Sequence, residues 1–400
     1  MLLAHKIALD PNAAQRIYFA RAAGCARFAW NWALAEWQRQ YKAGEKPNAL
    51  ALRRQLNNIK RDQFPWMLEV TKTAPQTAIV ALGDAFKRFF QGKAKYPRFK
   101  KKGVHDSFRA DNGPAEKGAD AVQIDGRRIR LPVIGWVKMF EKPRFRGQIK
   151  SATVSRTADR WFVSLLIDTE VAPVVRESQA AVGVDLGVKA LATLSTGETI
   201  AGPKAHKVLL GRLRRLSRSL SRKVKGSANR RKAAAKLARL HYRISCMRQD
   251  ATHKLTTRLT REFAVIGIED LNVRGMSRNR HLARSVMDGG FYELRRQLGY
   301  KAALYGSQIV VADRWYPSSK TCSDCGYILS VLALSEREWI CPACGSVHDR
   351  DHNAAANLER LAASSAVIAC GAEGSGDRLA LVVKPAAVKQ ELSDVLFGHA

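Results

Sequence analysis

Two short cysteine pairs constrain the fold of this 400-residue chain more than any other feature of its sequence. Cys322 and Cys325 form one Cys-x2-Cys pair, fifteen residues separate it from the pair Cys341 and Cys344, and a glycine follows each pair. Two tight turns that each present two thiolates provide the four soft, tetrahedral ligands that Zn²⁺ prefers. A redox dithiol needs only one such pair, so we predict a structural zinc site. Four protein ligands leave no coordination position for catalysis.

The charge of the chain indicates a polyanionic partner. Lys and Arg number 68 against 35 Asp and Glu, which gives a formal net charge of +33 and a sequence pI of about 10.3. So large an excess repels itself in a compact fold unless phosphates neutralise it, and binding to nucleic acid releases condensed counterions. An acidic membrane would attract the same charge, but no stretch approaches the roughly 18 to 20 apolar residues of a membrane span. We therefore expect nucleic acid as the partner and no membrane.

The N-terminal residues and the remaining cysteines predict the compartment. The opening MLLAHKIALD is too short, and becomes polar too soon, for a secretory signal, so we expect a cytoplasmic protein associated with the nucleoid. Disulfides are rare in that reducing environment. We interpret Cys25, Cys246 and Cys370 as buried or incidental thiols.

The first half of the chain divides into a strand, a helical region and a β-rich region. Residues 2–9 predict a short strand, and Asp10, Pro11 and Asn12 then favour a helix start, so residues 11–92 are expected to be helical. Helices are expected over residues 13–41, 49–60 and 75–90. From residue 93 to 178, turn-rich and alternating segments predict strands and hairpins. The pattern indicates a small antiparallel barrel that begins with the first strand and receives the helices as an insertion.

Apolar spacing in the first helix predicts which side faces the core. Ile17, Ala20, Gly24 and Phe28 recur at three-to-four spacing. The same helix also contains Trp30, Trp32 and Trp37. An aromatic stripe can serve as a platform for base stacking, but helical periodicity alone explains this one as core. We therefore expect these aromatic side chains to pack inside.

The second half of the chain contains a long basic segment. A linker over residues 171–179 leads into the apolar strand AAVGVD, and residues 204–261 then hold 19 Lys or Arg and a single acid, Asp250. Two helical patterns share this segment, with a turn predicted at GSAN, residues 226–229. A charged run is usually a solvated face, but this ratio exceeds what solubility requires, so we expect nucleic-acid contact. The candidate contacts are Arg98, Lys100 and Lys101 in YPRFKKK, and Arg214, Arg215, Arg222, Lys223, Arg230 and Arg231 in the basic segment.

Three carboxylates lie next to apolar segments, where an uncompensated charge is costly. Asp185 lies in VGVDLG and Glu269 ends AVIGIE, while Asp351 opens the helix DHNAAANL. Carboxylates gathered from separate segments can hold two Mg²⁺ ions, which activate water and stabilise the leaving oxygen of a phosphodiester. Each acid also has a structural alternative: the first two as ordinary strand-end acids, and Asp351 as a helix N-cap.

Several motifs together resemble one family. The order and spacing found in TnpB proteins and the related type V CRISPR effectors are matched by GVDLGVKALATLSTG, VIGIEDLNVRGM, YPSSKTCSDCG, CPACG and HDRDHNAAANL, over residues 181–360. The resemblance continues in the N-terminal half with FAWNWALAEWQRQY and FKRFFQGKAKYPRFKKK. It implies an α/β multidomain protein: an RNase H-like RuvC domain with a zinc-ribbon insert, preceded by a small β-barrel (wedge) and a helical recognition lobe.

The expected domains follow these segments. Residues 1–10 and 93–178 form the wedge, an oligonucleotide-binding barrel, and residues 11–92 form the recognition lobe. The RuvC-like nuclease domain takes residues 179–318 and 346–364, with the basic helical hairpin 204–261 inside it and the zinc ribbon at residues 319–345. Residues 365–400 are expected to form a disordered or loosely attached tail.

The resemblance also assigns the catalytic residues. It implies that Asp185, Glu269 and Asp351 bind two Mg²⁺ ions and hydrolyse phosphodiesters. Asp349 is the neighbouring alternative to Asp351, but in the family the catalytic acid directly precedes the pattern xNAA.

The partners implied by the resemblance are a guide RNA from the transposon end and a double-stranded DNA target. A short motif beside the target would be recognised near Lys72 and Gln76, which lie one helical turn apart if that segment is helical. Base pairing would supply the sequence choice, while basic residues grip the heteroduplex through its shape. A monomer is expected.

Two other functions use the same features. A TnpB-derived regulator without nuclease activity would use guide RNA to occupy DNA, but such a protein is expected to lack a carboxylate, and here the triad is complete. A strand-joining transposase would use the same acids, since RNase H-like folds host that chemistry as well. Against it, the sequence shows no separate helix-turn-helix that would bind transposon ends. We therefore predict a Mg²⁺-dependent, RNA-guided DNA endonuclease of the RuvC type.

Overall fold

The computed structural model describes residues 1–112, 121–169, 174, 176, 180–333 and 335–371. The chain divides into two compact units: the first takes the residues up to 172 and the short stretch 234–239, and the second takes the others. No helix among the described residues is long and apolar enough to cross a membrane. Most of the expected linker 171–179 and of the expected tail 365–400 lies outside the described residues, so both stay predictions.

Within the described residues, the sheet of the first unit has seven antiparallel strands. They are β1 (Leu2–Asp10), β2 (Ser107–Asp111), β3 (Gln123–Asp125), β4 (Arg128–Leu131), β5 (Gly135–Met139), β6 (Gln148–Thr157) and β7 (Arg160–Asp168). Their order is β2-β6-β7-β1-β5-β4-β3, so the N-terminal strand lies in the middle, between β7 and β5. Alternate residues of β1, namely Leu3, Ile7 and Leu9, are buried in the core, as the pleat of a half-covered strand requires. β2 and β3 are the two outermost strands in this order. Closure of the sheet into a barrel stays a prediction.

In the sequence, helices separate β1 from the other strands of its sheet. They are α1 (Ala13–Lys42), α2 (Ala49–Gln63), a 3-10 helix (Pro65–Glu69) and α3 (Thr73–Phe90). α1 begins with a capping box: the Asn12 side chain accepts a hydrogen bond from the Gln15 backbone N–H (2.9 Å), and the Gln15 side chain accepts one from Asn12 N–H (3.0 Å). Trp30 is buried, and Trp37 stacks on Phe86 with ring centroids 4.1 Å apart. The prediction that these aromatic residues belong to the core is confirmed.

The predicted inner face of α1 is wrong. Ile17 is 57% exposed, and Ala20 is also exposed. The buried stripe instead includes Phe19, Ala22, Ala26, Ala29 and Ala33. Because alanine and aromatic residues surround much of this helix, apolar spacing alone does not identify the side that faces the core.

A mixed sheet of five strands forms the described framework of the second unit. The strands are β8 (Ala181–Asp185), β9 (Ala192–Leu194), β10 (Thr199–Ile200), β11 (Val265–Glu269) and β12 (Gln308–Ala312), in the order β10-β9-β8-β11-β12. β8, β11 and β12 are parallel, whereas β9 and β10 run antiparallel to their neighbours. Val182, Val184, Ile266 and Ile268 are buried, as expected for a parallel sheet covered by helices. The predicted α/β class is confirmed.

The basic segment forms a helical hairpin between β10 and β11. The helices of this half are α4 (Ala205–Ser221), α5 (Ala228–Glu262), α6 (Val273–Met276), α7 (Ala283–Gly289), α8 (Phe291–Tyr305) and α9 (Arg350–Gly371), and a small hairpin of β13 (Glu338–Ile340) and β14 (Val347–Asp349) precedes α9. Leu209 and Leu213 of α4 pack against Leu240 and Ile244 of α5, as the leucine spacing predicts. The turn lies slightly earlier than GSAN, because Ser227 caps α5 by accepting a hydrogen bond from Arg230 N–H (3.1 Å).

Two glycines allow α9 to lie directly on the second sheet. A Cβ added to Gly183 in β8 would lie 1.8 Å from the carbonyl oxygen of Ala355, and one added to Gly267 in β11 would lie 2.2 Å from that of Leu358. No real Cβ makes contacts this short, so neither position admits a side chain unless the helix moves. The backbone of α9 is therefore held against β8 and β11.

Replacing Gly183 with alanine is expected to destabilise the second unit, because the added methyl group overlaps the Ala355 carbonyl. The free energy of unfolding should fall by about 1 to 3 kcal/mol, the usual cost of overpacking. Gly211→Ala in α4 is the matched control: a Cβ there meets no atom within 4 Å, and alanine favours a helix interior by up to about 1 kcal/mol over glycine. Urea unfolding compares the two variants, and an unchanged midpoint for Gly183→Ala would contradict the packing described.

Candidate functional site

Two carboxylates lie at the same edge of the second sheet because their strands run parallel and end together. β8 ends at Asp185 and β11 ends at Glu269. The register pairs Val184 with Ile268, and the next residue in each strand is the acid. Since adjacent parallel strands present their carboxyl ends on one side, these two side chains belong to one site.

The third predicted acid reaches this edge through α9. Asp351 lies in the first turn of the helix, and Ala355, which touches Gly183, follows it by one helical turn. Gly183 in turn precedes Asp185 by two residues in β8. The glycine contact therefore brings the first turn of α9 to the carboxyl ends of the strands. The three predicted acids therefore lie at this edge of the sheet, close enough for the charges of Glu269 and Asp351 to act on Asp185.

The electrostatics of Asp185 reflect this convergence. Its carboxyl group is partly buried, and burial, followed by the negative charges of Glu269 and Asp351, raises its pKa to about 8. The guanidinium groups of Arg350 and Arg337 oppose this increase without cancelling it. An acid in these surroundings is costly to ionise unless a cation joins the group.

The two neighbouring acids at the end of β11 differ in their partners. Glu269 accepts a hydrogen bond from the Ser318 hydroxyl at 2.5 Å. Asp270 forms ion pairs with Arg314 (2.6 Å) and with Arg295, and these two guanidinium groups lower its pKa. Asp270 is therefore neutralised by protein cations, whereas Glu269 is oriented by a neutral donor, the Ser318 hydroxyl.

The structure also separates Asp349 from Asp351. Asp349 is exposed, and its side chain accepts a hydrogen bond from the His352 backbone N–H (2.8 Å), so Asp349 is the residue that caps α9. Asp351 is partly buried and pairs with Arg337 (3.1 Å), a residue of the cysteine-containing segment. The N-cap alternative for Asp351 is therefore wrong, since its neighbour two positions earlier fills that role.

Two asparagines that the sequence analysis did not single out support this arrangement. Asn353 and Asn357 are buried, and their side-chain amides donate hydrogen bonds to the carbonyl oxygens of Ser318 and Thr321 over 2.6 to 3.3 Å. Asn353 also accepts from the Ser323 backbone N–H (2.9 Å). Their spacing of four residues on an otherwise apolar helix face was the available signal. They fasten the start of the cysteine-containing segment to α9.

The four predicted zinc ligands form a compact cluster. Their sulfur atoms all lie within 4.8 Å of one another, with Cys322 and Cys344 3.7 Å apart and Cys325 and Cys341 3.6 Å apart. A tetrahedron with Zn–S bonds of about 2.3 Å has edges of about 3.8 Å. The cluster therefore has the size that one Zn²⁺ ion requires.

Local geometry explains how the chain presents these thiols. Gly326 and Gly345 have positive φ angles of 80° and 76°, and their N–H groups donate to the carbonyl oxygens of the first cysteine of each pair. That backbone conformation favours glycine, which is why one follows each pair. His348, which is buried, places its Nε2 3.0 Å from the Cys322 sulfur.

The basic hairpin presents most of its predicted contacts to solvent. Exposed residues there include Arg214, Arg215, Arg222, Lys223 and Arg231. Arg215, Arg222 and Lys223 help line a cavity of about 300 Å³. Arg230 is different: its guanidinium donates to the carbonyl oxygens of Leu220 (3.0 Å) and Lys223 (3.1 Å). It closes the turn between α4 and α5.

The predicted contacts of the first unit lie at a helix start and in a basic loop. Lys72 directly precedes α3 and is exposed, and Gln76 lies in the first turn of that helix, so the expected one-turn spacing is present. Arg98, Lys100 and Lys101 are exposed in the loop after α3. The loop is attached to α1, because Trp30 Nε1 donates to the carbonyl oxygen of Arg98 (2.9 Å) and Lys100 Nζ lies 3.9 Å from the Trp30 ring centroid.

Three family models match parts of the chain. One described as "Probable transposase" matches residues 164–280, one described as "Cas12f1-like, TNB domain" matches residues 291–358, and one described as "Helix-turn-helix domain" matches residues 1–46. The TNB match contains the whole cysteine cluster. The residues covered by the third match form β1 and the single continuous helix α1.

Two relatives match almost the whole chain. A protein of Streptomyces pristinaespiralis named "Putative RNA-guided DNA endonuclease" is 40% identical over 383 residues, which cover 92% of this chain and 90% of that protein. InsQ of Escherichia coli (strain K12), whose name carries the same description, is 35% identical over 389 residues, which cover 92% of this chain and 94% of InsQ.

A solved structure shares the fold. The cryo-EM structure of a Cas12f1–sgRNA–target DNA complex matches 86% of this chain and 83% of the Cas12f1 chain with a TM-score of 0.58. The two sequences are 15% identical, so this likeness concerns the fold alone. The identity and coverage of the two relatives establish the family, and the transposase and TNB matches agree with it. The chain belongs to the TnpB family, which is related to the type V CRISPR effectors.

Proposed function

We propose that this chain is an RNA-guided DNA endonuclease of a transposable element. The observation that carries the proposal is the convergence of Asp185, Glu269 and Asp351 at one sheet edge, where burial and mutual repulsion raise the pKa of Asp185 to about 8. Acids held in this way favour hard divalent cations, and hard cations prefer carboxylate oxygens. We propose two Mg²⁺ ions as the resident cations and phosphodiester hydrolysis as the reaction.

Each residue of the site has a separate task in this reaction. The bound Mg²⁺ ions would activate the attacking water and stabilise the leaving oxygen. Ser318 fixes one oxygen of Glu269 by its hydrogen bond. Arg337 orients the Asp351 carboxylate from the cysteine-containing segment. Arg295 and Arg314 neutralise Asp270, which keeps a fourth negative charge from competing for the cations.

Guide RNA and double-stranded target DNA are the proposed partners. The net charge of +33 suits two polyanions, and the exposed cations of the basic hairpin and of the loop after α3 suit the phosphates of a heteroduplex. Lys72 and Gln76 at the start of α3 are the proposed readers of a flanking motif. We place the protein in the cytoplasm, at the nucleoid, as a monomer. The relatives named as RNA-guided DNA endonucleases support RNA and DNA as the partners.

A structural Zn²⁺ ion is proposed for the four-cysteine cluster. All four ligands are thiolates, so the ion would hold the fold together and take no part in hydrolysis. The buried apolar residues of this cluster are few, among them Leu332 and Trp339. A segment with so small a core depends on its metal for order.

Strand joining is a second candidate reaction, favoured by the match of residues 164–280 to a family described as "Probable transposase". The same acids would serve it, since the fold does not decide the reaction. Hydrolysis leaves free ends, whereas transesterification links the cut strand to a new partner. The products of a cleavage assay on a labelled duplex distinguish the two.

Removing one carboxylate at a time tests the endonuclease. Asp185→Ala and Asp351→Asn are expected to lower guided cleavage of a matching duplex at least about 1,000-fold, because each removes a charge that the cations require. Binding of the duplex should be retained, since neither side chain is a basic contact. Asp349→Asn is the matched control, because asparagine also caps helices well and Asp349 lies outside the carboxylate group. Wild-type cleavage by Asp185→Ala would overturn the assignment.

The raised pKa of Asp185 makes cation binding dependent on pH. In the metal-free protein this carboxyl group is protonated below about pH 8, so a cation must displace its proton. The apparent affinity for Mg²⁺ should therefore rise with pH, by up to about tenfold per unit for one proton, and level off above pH 8. Titration calorimetry in two buffers of different ionisation enthalpy measures the released proton. Asp185→Asn should bind weakly and without this slope, whereas pH-independent binding by the wild type would contradict the argument.

The raised pKa of Asp185 also determines whether the metal-free protein becomes more or less stable as the pH rises. The folded state holds a proton on Asp185 that the unfolded state loses above its ordinary value of 3.8. The free energy of unfolding therefore declines as pH rises from about 4 towards 8 in the absence of cations. Added Mg²⁺ should reverse this decline at pH 8.

Loss of one thiolate tests the zinc site. Cys325→Ser is expected to abolish stoichiometric zinc, because three thiolates and a neutral hydroxyl bind Zn²⁺ far more weakly. Residues 319–345 should then become sensitive to protease. Cys246→Ser, a partly buried thiol outside the cluster, is the control and should retain one zinc per chain. Elemental analysis of the purified proteins gives the zinc content, and full zinc in Cys325→Ser would contradict the assignment.

A further inference from the structure

A largely exposed tryptophan follows β12, the strand that pairs with β11 and its terminal Glu269. β12 ends at Ala312, which is the register partner of Glu269. Trp315 follows three residues later and is 85% exposed. An indole this exposed does not contribute the stabilisation that a buried aromatic side chain of this size provides. Its side chain is not part of the hydrophobic core described for the second unit and is available for contact with a ligand.

The loop that carries Trp315 is fastened on both sides of the indole. The Asp313 side chain accepts a hydrogen bond from the Trp315 backbone N–H (2.8 Å), and the Asp313 carbonyl oxygen accepts one from Tyr316 N–H (3.0 Å). These two bonds form a tight turn. Ser318 N–H donates to the Tyr316 carbonyl at 2.8 Å. These three hydrogen bonds stabilise the backbone of residues 313–318.

The flanking residues tie this loop to the site itself. Arg314, immediately before Trp315, pairs with Asp270 at 2.6 Å. Ser318, three residues after Trp315, donates to Glu269 at 2.5 Å. In the sequence, Trp315 therefore lies between two residues that contact Glu269, the last residue of β11, and Asp270, which follows it.

The chemistry of this position suits a nucleobase. A flat indole offers its π-face to any base, and base–aromatic stacking is a common source of affinity for unpaired strands. Arg314 immediately precedes Trp315, and with Arg295 it brings two positive charges to the single negative charge of Asp270, so the net positive charge favours a polyanion over an apolar peptide. A base inside a duplex has both faces covered by its neighbours, so only an unpaired base presents a face for stacking.

We propose that Trp315 stacks on an unpaired base of the DNA strand whose phosphodiester enters the carboxylate site. The proposal rests on the proposed nuclease function. Trp315 is a positioning residue: it acts by fixing the nucleotide beside the scissile phosphate, and it gives the site a preference for single-stranded DNA. Stacking in this role should raise the equilibrium constant for docking of the strand in the site about 5- to 150-fold over docking without the indole.

Abasic nucleotides and a substitution of Trp315 test the proposal together. A target duplex carries one abasic nucleotide at successive positions around the cut, and the single-turnover cleavage rate is measured at saturating protein. In the wild type, one position should show a loss of about 5- to 150-fold. Trp315→Ala should lose the same factor on the intact strand and show no further loss at that position, because base and indole act as one pair.

Control variants separate stacking from a general loss of structure. Trp315→Phe should recover most of the rate, since phenylalanine keeps a π-face. Tyr41→Ala removes another exposed aromatic residue (68% exposed) far along the chain and should leave the rate and the abasic profile unchanged. Independent, additive losses for Trp315→Ala and the abasic position would overturn the proposal, even if the wild type cleaves as expected.

Photocrosslinking keeps the inference testable if the wild-type chain does not cleave. A single-stranded oligonucleotide with 5-iodo-2′-deoxyuridine is irradiated with the full chain in the absence of divalent cations, and the protein is digested with trypsin. The peptide of residues 315–320, released between Arg314 and Lys320, should carry the base adduct on Trp315. Adducts confined to other peptides would overturn the stacking role, whereas an adduct without cleavage would overturn only the nuclease function.

Discussion

The close contact of α9 with β8 and β11 is the constraint on which the candidate site depends. Gly183 and Gly267 leave no room for a side chain beneath the helix backbone, so the helix lies directly on the strands. One turn before this contact α9 carries Asp351, and two residues after Gly183 β8 carries Asp185. A displacement of the helix by the width of a methyl group would therefore change the spacing of the carboxylates. Glycine at these two positions is therefore needed both for the packing of α9 on the sheet and for the spacing of the carboxylates.

The cysteine cluster stabilises the same arrangement from the other side. The segment that begins at Ser318 leads into Cys322, and Asn353 and Asn357 of α9 hold its carbonyl groups. Arg337 from this segment reaches Asp351. Order in the cluster and orientation of the carboxylates are therefore linked through hydrogen bonds, although the metal there has no open position for substrate. Zinc would act on catalysis only by keeping these donors in place.

Local patterns in the sequence were sufficient for some of these features. An apolar run that ends in an acid predicted the strands that finish at Asp185 and Glu269. Paired cysteines with following glycines predicted the thiol cluster. These features depend on residues that are close in the sequence, which is why periodicity and spacing reveal them.

Features that depend on distant residues could not be predicted in this way. The buried side of α1 is set by the sheet it covers, so the expectation for Ile17 was wrong. The pairing of Arg337 with Asp351 and the fixed exposure of Trp315 arise only when α9, β11 and β12 meet. Sequence spacing also left Asp349 and Asp351 as alternatives, and the hydrogen bond from His352 to Asp349 separates their roles.

The most direct test of the account is whether RNA bound by the protein directs its cleavage. The chain is purified from cells that also express its flanking DNA, the bound RNA is sequenced, and a duplex library with Mg²⁺ is cut by the complex. We predict one dominant RNA species and cuts only in duplexes that match it. Protein that carries no RNA, or cuts that do not follow the RNA sequence, would contradict the account.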